Sequence, residues 1–199
     1  LHQGNVAKIL VKNEEILKLI NNKLVLNVLH KYFGTKVIFD NIWSWWSFRH
    51  KDNAIGPQNF HRDYNSINFL KLFVYLNDVD ETCGPMHIVE GNGYIPVIPT
   101  YRTSPYLEGH VMYPDSRIPP DIVQTVIDNG GKEEMLTGPA GTNFLFTPNI
   151  MHKGSSPTGP NSRQAIFFFI RPSLRKFKNY VAAAAPKSHP GDVKVYRLD

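Results

Sequence analysis

From Thr35 onward the chain is a series of short runs of β-branched and aromatic residues, separated by turns bearing Gly and Pro. This alternation most constrains what the chain can fold into. The runs are Thr35 to Arg49, Asn68 to Leu76, Met86 to Glu90, Glu133 to Thr137, Thr142 to Thr147 and Gln164 to Ile170. Runs of that length and composition read as strands, and Gly56-Pro57, Gly84-Pro85 and Gly138-Pro139 read as the turns between them. Short strands punctuated in this way predict a mainly β fold that closes into a double-layered barrel.

Helices are expected before the first strand. Asn13 can cap a helix whose first turn carries Glu14 and Glu15 and whose apolar face carries Ile16, Leu17, Leu19 and Ile20. Asn21 and Asn22 divide the apolar pattern into two helices, and Gly34 supplies a C-terminal cap. Their role is to pack on the sheet. In the long first strand Trp43, Trp45, Ser47 and Arg49 share one face, and Ser44, Trp46 and Phe48 share the other. Both faces carry aromatics, so the one that lines the interior stays open.

The 199 residues suffice for one domain with a sizeable core. A charged fraction of 20% and a hydrophobic fraction of 42% fit a soluble globular protein. No apolar run approaches the roughly 20 residues that cross a bilayer, so no membrane role is expected. Cys83 is the lone cysteine, which excludes an intrachain disulfide and suits a reducing, cytoplasmic compartment. Its place in a turn, with no base beside it, reads as an inert thiol. The net charge of +5 is partly local, with Arg175, Lys176, Lys178, Lys187, Lys194 and Arg197 all falling in 173–199. That stretch reads as a basic, solvated tail with one helical turn near 182–185. No nucleic-acid motif accompanies the charge, and no basic stripe is interleaved with aromatics. Nothing in the sequence speaks to oligomeric state.

The chemistry gathers at Phe60-His61-Arg62-Asp63. In an extended segment residues i and i+2 project to the same side, so His61 and Asp63 address one point while Arg62 points away, to the surface or to a substrate. One more imidazole would complete the two-His-one-carboxylate set that suits Fe(II) and leaves coordination positions open. His152, after the apolar run 143–147, is the candidate for it. Eleven residues later Arg163 opens the strand Gln164 to Ile170, and a planar guanidinium there matches a carboxylate in bidentate fashion. His87, within a strand, reads as a structural or rim histidine.

This ordered set resembles the Fe(II)/2-oxoglutarate dioxygenases of the phytanoyl-CoA dioxygenase type. The passage 73–91 strengthens the likeness, because Cys83-Gly84-Pro85-Met86 and Glu90-Gly91-Asn92 stand where that family has its Asn-Gly-Pro-Leu and Pro-Gly-Ser-His. The resemblance runs from about 15 to about 172 and implies a double-stranded β-helix (jelly roll, cupin-like) with flanking N-terminal helices. It implies His61, Asp63 and His152 as iron ligands, Fe(II) as cofactor, 2-oxoglutarate and O₂ as co-substrates, and Arg163 on the distal carboxylate. Tyr75 falls near a family position beside the 2-oxoglutarate, or else is a core aromatic with its hydroxyl on backbone. Where the family often has a serine that helps hold the carboxylate this chain has Gly154, so Ser155, Ser156 or a water takes that place. A carboxylate at Asp63, where related halogenases have a small residue, favours hydroxylation of an unactivated C–H of a small molecule, with succinate and CO₂ as co-products. Members of the family are usually longer at the N-terminus, and this chain opens at Leu1 without Met, so a leading segment is expected to precede it.

The domain is thus expected over 1–172. Its long excursion, about 91–131, reads as a substrate lid or a plain surface loop, with a short helix at 119–128 closed by Gly130-Gly131. As a lid it would offer Arg102 or Arg117 to an anionic group, and its Tyr residues suit a polar, anionic or carbohydrate-like substrate. Two other classes stand beside this one: a cupin-type metal-dependent isomerase or lyase, which needs no arginine clamp, and a non-catalytic binding module, which needs no complete ligand set.

Overall fold

The computed structural model describes residues 2–4, 12–49, 56–63, 68–90, 101–103, 111–114, 117–173, 180–183 and 194–197. Two helices lead. In α1 (Glu14–Ile20) the Asn13 side chain accepts from the amides of Glu15 and Ile16. In α2 (Lys23–Phe33) Asn22 accepts from Leu24 and Val25, and Gly34 ends the helix at φ 68. Each such cap stabilises by about 1 kcal/mol.

The strands are β1 (His2–Gly4), β2 (Val37–Trp46), β3 (Leu70–Tyr75), β4 (Met86–Glu90), β5 (Tyr101–Thr103), β6 (Val111–Pro114), β7 (Lys132–Leu136), β8 (Asn143–Phe146), β9 (His152–Gly154), β10 (Gln164–Pro172), β11 (Tyr180–Ala183) and β12 (Lys194–Arg197). The larger sheet runs β12-β11-β2-β10-β3-β8, with β1 also on β2, and the smaller runs β7-β4-β9. Between β6 and β7 lies the helix α3 (Pro120–Asp128), with Pro120 at its first position. The chain is mainly β, a double-stranded β-helix with helices on the larger sheet.

Both faces of the larger sheet are covered, which is why its strands read as near-continuous apolar runs. Leu70, Leu72, Ile166, Phe168 and Ile170 face outward and pack with Ile20 and Leu29 of the helices. Phe73, Tyr75, Ala165 and Phe167 face inward with Trp43, Trp45 and Phe144. Burying one such side chain stabilises by roughly 1.5–3 kcal/mol. On β2 the register shifts between Phe169↔Asn41 and Ile170↔Phe39, leaving Asp40 as a bulge. The bulge reverses the alternation, so Val37 and Phe39 join the outer layer while Trp43 and Trp45 turn inward. That settles the open choice of face for β2.

In the stretch expected to be a tail, β11 runs parallel to β2 and pairs with β12. The helical turn expected near 182–185 is corrected: Tyr180–Ala183 is extended, since sheet pairing overrides the helical propensity of alanine. The helix expected at 119–128 is present, closed by Gly130 and Gly131. Of the rest of the excursion, 101–103 and 111–114, which pair as β5 and β6, and 117–119 and 129–131 are described. No helix among the described residues is long and apolar enough to cross a membrane.

Candidate metal centre

His61 and His152 form a closely bonded cross-strand pair. The amide of each donates to the carbonyl of the other, at 2.9 and 3.1 Å. In an antiparallel ladder such a pair sits side by side, and here the ring centroids are 4.2 Å apart. The residues just before them, Phe60 and Met151, pack in one apolar cluster with Val123 and Val126 of α3. That helix therefore supports both histidines from behind.

Asp63, two residues beyond His61, is held by its amide to the Pro148 carbonyl at 2.9 Å. Its carboxylate faces both imidazoles: Nε2 of His61 is 3.8 Å from Oδ1, and Nε2 of His152 is 3.6 Å from Oδ2. One donor atom from each of the three residues lies within 4.8 Å of the others. Each Nδ1 sits 2.9 Å from a backbone carbonyl, that of Asn59 for His61 and of Ile150 for His152. A carbonyl accepts, so Nδ1 carries the proton and Nε2 presents its lone pair to the shared point. Burial, followed by the nearby His152, pushes the pKa of His61 from 6.5 down to about 3, so its ring is neutral at ordinary pH. Burial works to raise the Asp63 pKa, but His152 and Lys71 outweigh it and hold the carboxyl well below its usual range. Two imidazoles and a carboxylate converging on one point are a donor set that fits a divalent first-row metal.

Arg163 reaches the same cleft from the other side. Its amide donates to the Cys83 carbonyl and its carbonyl accepts from the Ser47 amide, both at 2.9 Å. Cys83 opens the Gly84-Pro85 turn. Gly84 has φ +77, and a Cβ there would meet the Ser155 carbonyl at 2.6 Å, so only glycine lets this turn close on the loop that delivers Arg163. The Arg163 side chain is 3% exposed. Nη2 donates to Oγ of Ser47 at 3.1 Å, and Cζ lies 5.8 Å from the Phe73 ring centroid. Nε and Nη1 are buried without a hydrogen-bond partner among the described residues. Burial lowers the arginine's pKa, and Tyr75 offsets part of this.

His61, His152, Arg163, Gly154, Trp45, Phe73, Phe167, Met86 and Lys71 line one cleft of about 340 Å³, part of it open to solvent. The sequence reading passed over two of the polar groups here. Lys71, buried on the inner face of β3, pairs with Oδ2 of Asp63. Ser47 accepts a hydrogen bond from Nη2 of Arg163. A lone lysine inside an apolar strand was the available sign of the first, and the Trp43-Trp45-Ser47 face was the sign of the second.

The hydroxyls of Ser155 and Tyr75 both bond backbone. Ser155 donates its hydroxyl to the Pro85 carbonyl at 2.7 Å, because the tight turn brings that carbonyl to it. Tyr75 is fully buried, donates to the Leu136 carbonyl at 2.7 Å and accepts from the Met86 amide at 3.3 Å. It is the core aromatic with its hydroxyl on backbone. Its oxygen lies near Arg163 without meeting hydrogen-bond geometry. His87, read as a structural or rim histidine, has Nδ1 2.7 Å from Oε1 of Glu133. Arg117 pairs through its backbone with His61. Arg62 is half-buried, and the side chain of Arg102 lies outside the described residues.

No family model matches the chain. Over 129 residues it is 25% identical to L-proline trans-4-hydroxylase of Streptomyces griseoviridis, a match covering 61% of this chain and 45% of that protein. The matched part is thus under half of that relative's length. EctD from S. alaskensis, solved with 2-oxoglutarate and 5-hydroxyectoine, superposes with a TM-score of 0.59 at 18% identity, covering 85% of this chain and 57% of that one. The non-heme alpha ketoglutarate dependent epimerase SnoN from nogalamycin biosynthesis superposes at 0.57 with 13% identity, covering 85% of this chain and 62% of that one. These superpositions show a shared fold. The likeness is thus one of sequence to that hydroxylase and of fold to these two proteins.

Proposed function

We propose that this chain is the core of an Fe(II)- and 2-oxoglutarate-dependent dioxygenase that hydroxylates an unactivated C–H of a small molecule. The observation that carries the reading is Arg163, a buried guanidinium with two unpartnered nitrogens, in one cleft with a convergent His61, Asp63 and His152. A buried cation left unpaired is costly, and a dicarboxylate that chelates a metal through one end and meets the arginine with the other removes that cost.

In this reading His61, Asp63 and His152 hold the metal. When bound, iron with 2-oxoglutarate and O₂ supplies the oxidising power, and succinate and CO₂ are the co-products. The chain's own residues bind, orient and exclude water. The Nδ1–H contacts to Asn59 and Ile150 lock both imidazoles. Ser47 aims the guanidinium, while Phe73 and Phe167 keep water from the space between clamp and triad. An isomerase or lyase on the same fold would leave Arg163 without a task.

The substrate is read as a small polar molecule bearing an anionic or carbohydrate-like group. Arg117, whose charge acts on His61, is the residue assigned to that group, with Arg62 and Arg102 as further candidates. L-Proline, named as substrate of the sequence relative, carries such a carboxylate. The domain is taken as 1–172, with β11 and β12 joined to its larger sheet; most of the excursion read as a lid lies outside the described residues. A free buried thiol at Cys83 supports a cytoplasmic setting. Anaerobic titration of the Fe(II)-loaded protein with 2-oxoglutarate tests the reading. One equivalent bound by wild type, and none by His152→Ala, is expected; no binding to wild type would sink the proposal.

A further inference from the structure

Lys71 is a buried charge to which the proposed reaction gives no task. It is 8% exposed, on the inner face of β3. Its ammonium bonds Oδ2 of Asp63 and lies 5.3 Å from the ring centroid of Phe167 and 4.8 Å from that of Phe169. In register it stands between Phe146 on β8 and Phe169 on β10. Ordering a lysine and stripping its water in such a place is unfavourable unless the charge is paired. Asp63 is the acidic group that pairs it, so each side chain fixes the other.

A carboxylate can bind a metal through one oxygen or through both. Asp63 offers Oδ1 toward His61 and Oδ2 toward His152, and Lys71 already holds Oδ2. We infer that Lys71 is a positioning residue. By holding one oxygen of Asp63 it limits the carboxylate to a single bond with the metal, and so leaves free a coordination position that a chelating co-substrate needs. This inference rests on the Fe(II)/2-oxoglutarate reading above.

The test uses Co(II), followed by its visible absorption, as the metal in wild type, Lys71→Met and Lys71→Arg. Removing a nearby cation does not weaken metal binding, so K71M should take Co(II) at least as tightly as wild type. The same variant should bind 2-oxoglutarate to its Co(II) form at least roughly tenfold more weakly, because the second Asp63 oxygen then competes for the position the co-substrate needs. K71R keeps the hydrogen bond and should recover most of that loss. A merely structural lysine would weaken both steps together in K71M, and that pattern, or unchanged 2-oxoglutarate affinity, overturns the inference while leaving the metal centre standing. A wild type that takes up no Co(II) would remove the metal reading itself, and this inference with it.

Discussion

The Arg163 guanidinium occupies the space that a side chain at residue 154 would fill: a Cβ on Gly154 would lie 2.8 Å from Nη2. The glycine is therefore part of the clamp's seat, and Ser47 takes the polar contact. Gly154→Ala should push the guanidinium off Ser47 and weaken 2-oxoglutarate binding by ~1–2 kcal/mol, about 5–30-fold, while the fold persists. Titration of the metal-loaded variant checks this. Unchanged affinity would mean that the arginine is seated elsewhere.

Arg163→Met should have opposite effects on ligand and fold. Losing the partner of a buried carboxylate costs about 3–5 kcal/mol of 2-oxoglutarate affinity. Without ligand or metal, the same change removes a buried cation with two unpartnered nitrogens, and the melting temperature should rise. A variant that both melts lower and keeps its affinity would contradict the assignment.

Acid should destabilise the metal-free protein from an unusually high pH. His61 falls from 6.5 in the unfolded chain to about 3 when folded, so the unfolded state takes the proton first. Its contribution is complete above pH 6.5 and is lost as pH falls towards 3. Asp63 is also depressed, so its contribution is present above its unfolded value of 3.8 and fades below it. The melting temperature of metal-free protein should be level above about pH 6.5 and decline below, and His61→Asn should flatten the upper part of that decline.

Tyr75→Phe separates a core role from a binding role. The change leaves the Leu136 carbonyl and the Met86 amide without their partner, which costs about 1–3 kcal/mol of stability. Co-substrate affinity should stay within about threefold of wild type, under ~0.7 kcal/mol. A tenfold loss of affinity would instead put the phenol on the co-substrate.

Much of this was legible in the residues because local rules carried it. Asn13, Asn22 and Gly34 mark helix ends through their own hydrogen bonds and φ, and Pro120 opens α3. The i, i+2 spacing of His61 and Asp63 put them at one point. What stayed hidden depends on partners distant in sequence. The Asp40 bulge, which turns Trp45 and Ser47 inward, exists only in register with β10. Lys71 takes its meaning from Asp63 and from Phe167 and Phe169, far away on β10. β11 pairs with β2, whose nearer residue lies over 130 positions back, so no local pattern announces it.

Succinate formation from 2-oxoglutarate tests the central claim most directly. Wild type and His152→Ala are loaded with Fe(II) without oxygen, given 2-oxoglutarate and then exposed to air. Slow succinate formation by wild type, absent in the variant, is the predicted result. Equal rates in the two proteins, or a wild type that neither forms succinate nor binds 2-oxoglutarate, would contradict the account.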